Sequence, residues 1–166
     1  VDMARRSFLR GRPGDKAPPL RPPWALPEAE FTARCTRCGD CLSACPTGLL
    51  HPGPGNFPVA DFSAAYCNFC GQCADTCQPH ALQRQIDPPW ELLAHIGDTC
   101  LARQQVVCRT CGETCELGAI RFPPRLGGVA QPELSFADCT GCGECLSACP
   151  TRAITIGRRS AKEEKE

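Results

Sequence analysis

The chain has 166 residues, balances 18 basic against 18 acidic side chains, and is 42% hydrophobic, a figure that includes 16 cysteines. Without the cysteines only about a third is apolar, and with 17 prolines and 15 glycines a core of aliphatic packing alone would be thin. The balanced charge excludes a general affinity for nucleic acid, and no run of roughly 18 apolar residues offers stable membrane insertion.

Residues 1–27 carry six basic side chains (Arg5, Arg6, Arg10, Arg12, Lys16, Arg21) against two acidic ones in a Pro-rich stretch, which predicts a flexible basic arm. Within it "ARRSFLRG" matches the R-R-x-F-L core of a twin-arginine signal. A signal peptide needs an apolar stretch of roughly 7–15 residues next. Charges and prolines follow instead, so the expectation is a soluble protein not exported on this signal. Arg5, Arg6, Phe8 and Leu9 are therefore candidates for partner binding.

The cysteines then fall into four groups of four. The first holds Cys35, Cys38, Cys41 and Cys45; the second Cys67, Cys70, Cys73 and Cys77. The third, stretched, holds Cys100, Cys108, Cys111 and Cys115; the fourth Cys139, Cys142, Cys145 and Cys149. First and fourth agree at ten of twelve positions, an internal repeat. Beyond each final cysteine, at the fourth and fifth positions, come Leu49 and Leu50, Ala81 and Leu82, Ala119 and Ile120, Ala153 and Ile154. Apolar residues precede several groups, as Phe31, Tyr66 and "LSFAD" at 134–138. Each unit reads as short strand, cysteine loop, helical turn, short strand, and units this small would pair. Pro/Gly stretches at 48–58 and 123–133 separate partners, and "DPPW" at 87–90 marks the boundary between pairs. The end, "GRRSAKEEKE", reads as a charged tail.

C-x2-C-x2-C-x3-C-P is an iron–sulfur run. Cysteines three apart let a loop curl around one cluster, the x3 gap is one helical turn, and Pro46 and Pro150 redirect the chain. Gly39, Gly71, Gly112 and Gly143 permit tight turns whose N–H groups approach sulfur. Structural zinc prefers two C-x2-C pairs with a longer spacer, and a disulfide scaffold needs an oxidising compartment. His51, His80 and His95 are isolated and read as surface or packing residues; Trp24 and Trp90 read as hydrophobic anchors.

The runs resemble the bacterial two-cluster ferredoxins, which exchange their fourth ligands. Carried over, the resemblance groups Cys35, Cys38 and Cys41 with Cys77; Cys67, Cys70 and Cys73 with Cys45; Cys100, Cys108 and Cys111 with Cys149; and Cys139, Cys142 and Cys145 with Cys115. It implies an α+β fold of two tandem 2[4Fe–4S] ferredoxin-like modules, at 28–88 and 89–157, with an extended N-terminal arm at 1–27 and a tail at 158–166. The third group departs from the pattern, with seven residues after its first cysteine and Glu116 in place of proline, so a three-iron or labile cluster is the alternative to a four-iron one there.

Four such runs joined to the arginine-bearing start resemble the NapF family, the cytoplasmic ferredoxin-type accessory proteins of periplasmic nitrate reductase systems. That resemblance implies four [4Fe–4S] clusters and a partner, the precursor of the reductase's molybdenum-containing catalytic subunit, which would be matured or redox-activated before export. The alternative is a general polyferredoxin subunit of a respiratory or hydrogenase-type complex. An iron–sulfur enzyme is disfavoured: no nucleotide-binding motif or catalytic constellation is present.

Overall fold

The computed structural model describes residues 19–159. Arg5, Arg6, Phe8 and Leu9, with most of the basic segment and the charged tail after 159, lie outside the described residues. In chain order the elements are α1 (Glu28–Arg34), α2 (Asp40–Ser43), β1 (Leu50–Pro52), a 3₁₀ turn (Pro54–Asn56), β2 (Pro58–Ala60) and α3 (Gln72–Asp75). β3 (Leu92–Ile96), α4 (Thr110–Thr114), β4 (Ile120–Arg121), β5 (Glu133–Leu134), α5 (Glu144–Ala148) and β6 (Ile154–Arg158) complete the series.

The sheets are small and antiparallel. β1 pairs with β2, β4 with β5, and β3 with β6. In the second half the inner hairpin, β4–β5, is thus flanked by a pairing of the half's first and last strands, with Leu92 opposite Arg158 and Ile96 opposite Ile154. The first half repeats the pattern with fewer residues: the inner hairpin is β1–β2, and the outer pairing shrinks to a single bridge between Ala25 and Leu82. The hairpins also begin alike. Asp61 N–H donates to Leu49 C=O at 2.9 Å, and Ser135 N–H to Ala119 C=O at 2.8 Å.

The apolar pairs after each cysteine group supply much of the core. Leu49, Leu50, Ala81, Leu82, Ala119, Ile120, Ala153 and Ile154 are all buried. Two buried clusters result, one drawn from the first half together with Leu92 of β3 and one within the second half, and Leu146 and Ile156 pack against both.

Two expectations are revised. Residues 19–27, grouped with the flexible arm on composition, are part of the body: Pro22, Pro23 and Trp24 are buried, and Trp24 N–H donates to Pro89 C=O at 2.7 Å. Leu26 N–H reaches Ala81 C=O, and Gln83 N–H reaches Trp24 C=O. These residues complete the first half's outer pairing, which composition could not reveal because prolines suit an edge position. Arg21 belongs here too. It pairs with Glu28 at 2.6 Å, donates to Pro58 C=O, and lies over the Phe31 and Phe57 rings. The second revision concerns Phe31, expected in a strand before the first cysteines but placed in α1. Glu28 and Glu30 in the first turn and Arg34 in the last match the helix dipole, and the helix buries Phe31 completely.

Candidate metal centres

A common backbone path carries every cysteine group. The residue three positions after the final cysteine is left-handed in all four: Gly48, His80, Gly118 and Arg152, with φ between 51° and 69°. In each case its N–H donates to the C=O of that final cysteine, at 2.9–3.2 Å. This turn sends the chain from the cysteine loop into the buried apolar pair. The residue just before the second cysteine is likewise left-handed in three groups, as Arg37, Phe69 and Gly141. His80 is thus a turn residue, and neither it, His51 nor His95 lines the four cysteine cavities described below.

Gly39, Gly71 and Gly143 open α2, α3 and α5 in left-handed conformation, φ 82–87°, and deliver Cys41, Cys73 and Cys145 onto those helices. The third group takes another route. Arg109 precedes α4 with φ −133°, and the group's glycine, Gly112, sits inside the helix, where a Cβ would lie 2.9 Å from Ile120 C=O. That glycine serves close packing of α4 on β4 rather than a turn. The longer loop after Cys100 folds onto the β4–β5 connection, with Ala102 buried and its carbonyl accepting from Gln131 Nε2 at 2.6 Å.

No disulfide joins any of the sixteen cysteines, and they gather in four cavities. One is walled by Cys35, Cys38, Cys41 and Cys77; a second by Cys45, Cys67, Cys70 and Cys73. The third holds Cys100, Cys108, Cys111 and Cys149. The fourth is lined by Cys115, Cys139, Cys142 and Cys145, with Cys67 also at its edge. Each therefore draws three cysteines from one group and the last cysteine of another.

Within the cavities the thiols disfavour one another's ionisation. Burial, then Cys35, Cys77 and Cys38 as like charges, push Cys41 up to about 11. Burial, then Cys67, Cys41 and Cys45, push Cys73 to about 12. Cys111 is raised to about 11 by burial and by Cys100, Cys108 and Cys149, and Cys145 to about 12 by burial and by Cys142, Cys139, Cys111 and Cys115. Cys45 and Cys149 go the other way: burial raises both, but hydrogen bonds from Thr47, Leu49 and Leu50, and from Thr151, Ala153 and Ile154, outweigh it.

Four half-buried thiols turned toward one volume fit a polynuclear thiolate-bound cluster, whose irons supply the positive charge that four thiolates need. Among the described residues no three His, Cys, Asp or Glu side chains are arranged to hold a single metal ion. Backbone and hydroxyl groups already face the sulfurs. Phe69 N–H donates to Cys67 Sγ at 3.4 Å and Ala153 N–H to Cys149 Sγ at 3.2 Å, while Thr47 lies 3.5 Å from Cys45 Sγ. Such contacts tune a cluster.

Two side chains near these cavities carry no signal in the cysteine spacing. Arg84 lies against Gly71, bonds Asp75 at 2.9 Å and donates to Cys70 C=O at 3.1 Å. Trp90, read only as an anchor, donates its indole N–H to Thr140 C=O at 2.7 Å. The internal repeat contains a clue to the first: two positions after Leu82 stands Arg84, and two positions after Ile154 stands apolar Ile156.

The 4Fe-4S dicluster domain matches residues 34–81 and 106–164. The ferredoxin-type protein NapF of Escherichia coli K12 is 41% identical over 155 residues, covering 93% of this chain and 94% of that protein. NapF of Haemophilus influenzae is also 41% identical, with the same coverage. The methylamine utilization ferredoxin-type protein MauM of Methylophilus methylotrophus is 33% identical over 90% of this chain and 74% of its own length.

Proposed function

We propose that this chain, which belongs to the NapF family of ferredoxin-type iron–sulfur proteins, carries four [4Fe–4S] clusters in two tandem modules and serves in the cytoplasm as an accessory to a periplasmic nitrate reductase. Its partner is the precursor of the reductase's catalytic subunit, which it redox-activates or matures before export. It is an electron carrier, not an enzyme. The observation that carries the reading is the gathering of all sixteen cysteines into four cavities of four.

The sixteen thiolates are the ligands, grouped as the cavities group them. When bound, such clusters store and release single electrons reversibly. The chain's own residues fix the loops through the repeated left-handed turns, exclude water with the buried apolar pairs, and aim N–H and hydroxyl groups at sulfur. Every cavity offers a full set of four thiols, which favours electron transfer over donation of a cluster. Arg5, Arg6, Phe8 and Leu9 are assigned to partner recognition, because they copy a twin-arginine core without the apolar stretch that export requires.

Anaerobic purification followed by iron and sulfide analysis should find about 16 irons per chain, four for each ferredoxin-type run. Zinc instead of iron would overturn the cluster assignment. An anaerobic pull-down should capture the precursor of the catalytic subunit and not its mature form. Capture of neither would return the protein to the class of general polyferredoxins.

A further inference from the structure

We propose that the cavities form one conducting line in which the second cavity passes electrons directly to the fourth across Cys67 and Cys142, leaving the first and third as the two ends. Trp90 is the positioning residue that holds this crossing closed. The proposal rests on the cluster reading above and adds the order of the centres, which differs from their order in sequence.

Within each half the neighbours are plain. α2, which carries Cys41 of the first cavity, packs on α3, which carries Cys73 of the second, and α4, with Cys111 of the third, packs on α5, with Cys145 of the fourth. Between the halves, Cys67 N–H donates to Cys142 C=O at 2.8 Å. Tyr66, Cys67 and Phe69 stand in the wall of the fourth cavity beside Cys139, Cys142 and Cys145. The first, second and third cavities are each walled by their own half, whereas the fourth takes wall residues from both. Since electron tunnelling falls off exponentially with distance, the hydrogen-bonded contact between a cysteine of the second cavity and one of the fourth is the favoured crossing.

Trp90 touches both sides of it. Its indole N–H binds the carbonyl of Thr140, which lies between Cys139 and Cys142. Its ring meets Phe69, between Cys67 and Cys70, edge-on at 5.5 Å between centroids. Phe62, from the first half, packs on Trp90 at 5.7 Å and lies directly against Gly143, where any side chain would collide with its ring. One indole thus ties the loop of one crossing cavity to the loop of the other.

The step is a single-electron exchange. A cluster held by Cys45, Cys67, Cys70 and Cys73 would give up one electron and one held by Cys115, Cys139, Cys142 and Cys145 would take it, or the reverse. No bond or proton moves. A one-electron donor docks at one end of the line and a one-electron acceptor at the other.

The test uses the full chain as anaerobic holoprotein, reduced with dithionite and read by electron paramagnetic resonance. Cys41→Ala with Cys111→Ala retains only the crossing pair; Cys73→Ala with Cys145→Ala retains only the ends. The first should show spin–spin splitting and the second the sum of two isolated centres. Adding Trp90→Ala to the crossing pair should abolish the splitting, and Trp90→Phe, which keeps the ring on Phe69 but loses the N–H to Thr140, should recover only part of it. Isolated spectra from an iron-loaded crossing pair, or splitting from the end pair, would overturn the line. Splitting that survives Trp90→Ala would overturn the role given to Trp90. Should the alanine variants fail to fold, Cys38→Ser with Cys108→Ser retains the crossing pair and Cys70→Ser with Cys139→Ser retains the ends, which gives the same comparison. An unaltered chain that holds no [4Fe–4S] centres would instead remove the cluster reading, and the line with it.

Discussion

Phe31→Ala perturbs one cavity selectively. Phe31 is fully buried in α1, its ring lies 4.9 Å from the Arg21 guanidinium and 6.2 Å from the Phe57 ring, and its carbonyl accepts from Cys35 N–H at 2.9 Å. Truncating a buried phenylalanine costs about 3–5 kcal/mol, transfer and cavity together. The lost cation–π contact accounts for roughly 0.5–1 kcal/mol of it, since Arg21 keeps its ion pair with Glu28. Against a typical domain stability of about 5–15 kcal/mol, this is a large fraction. The loss is local to α1 and to Cys35, the first cysteine of its cavity. In anaerobic holoprotein the guanidinium midpoint should fall, and a chelator should strip one cluster's iron well ahead of the rest. Phe31→Leu should fall between the variant and the unaltered chain. An unchanged midpoint, or iron leaving all centres at one rate, would refute the reasoning.

Arg84→Met removes a half-exposed cation beside Cys70. Because Asp75 partly offsets it, the change is of order 0.5–1 kcal/mol, about 20–40 mV, and a redox titration should show one centre moving to lower potential by that amount. Gly141→Ala and Gly48→Ala both place a side chain at positive φ, which costs about 1–2 kcal/mol. At Gly141 the new Cβ would also lie 2.5 Å from Leu92 C=O, whereas at Gly48 nothing stands within 4 Å. Denaturation should therefore show about 2–5 kcal/mol for the first and only the backbone cost for the second; equal losses would contradict the packing described. Deleting residues 3–11 should weaken capture of the precursor without moving the protein to the periplasm, as fractionation and pull-down would show.

Much of the architecture is legible because covalent spacing carries it. Cysteines three residues apart can only curl, and the apolar pairs after them can only turn inward, so Leu49, Ala81, Ala119 and Ala153 are readable as core from the repeat. What escapes is what depends on contacts between distant residues. Pro22, Pro23 and Trp24 look like an arm by composition, and nothing local signals that Leu82 will bridge Ala25. Arg37, Phe69, His80 and Arg152 take left-handed conformations that their residue types do not advertise; only alignment with the glycines at equivalent positions of the other groups would have shown them. Trp90 looks like an anchor in a Pro-rich boundary, because its partners, Phe69 and Thr140, lie 21 and 50 residues away.

The exchange of final cysteines between groups has a consequence for how the protein is made. No cavity is complete within one group. The cavity begun by Cys35 waits for Cys77, and that of Cys100 waits for Cys149. As the chain leaves the ribosome, three thiols of each such centre emerge before the fourth exists. The second cavity's set is complete once Cys73 has emerged and the first cavity's once Cys77 follows, so the first half's two centres close nearly together, as Leu82 comes onto Ala25. The second half repeats this only when synthesis reaches β6. Iron–sulfur delivery would then proceed in two instalments, and a truncated chain ending between Cys115 and Cys145 would hold a finished first half beside a second half with no complete centre at all.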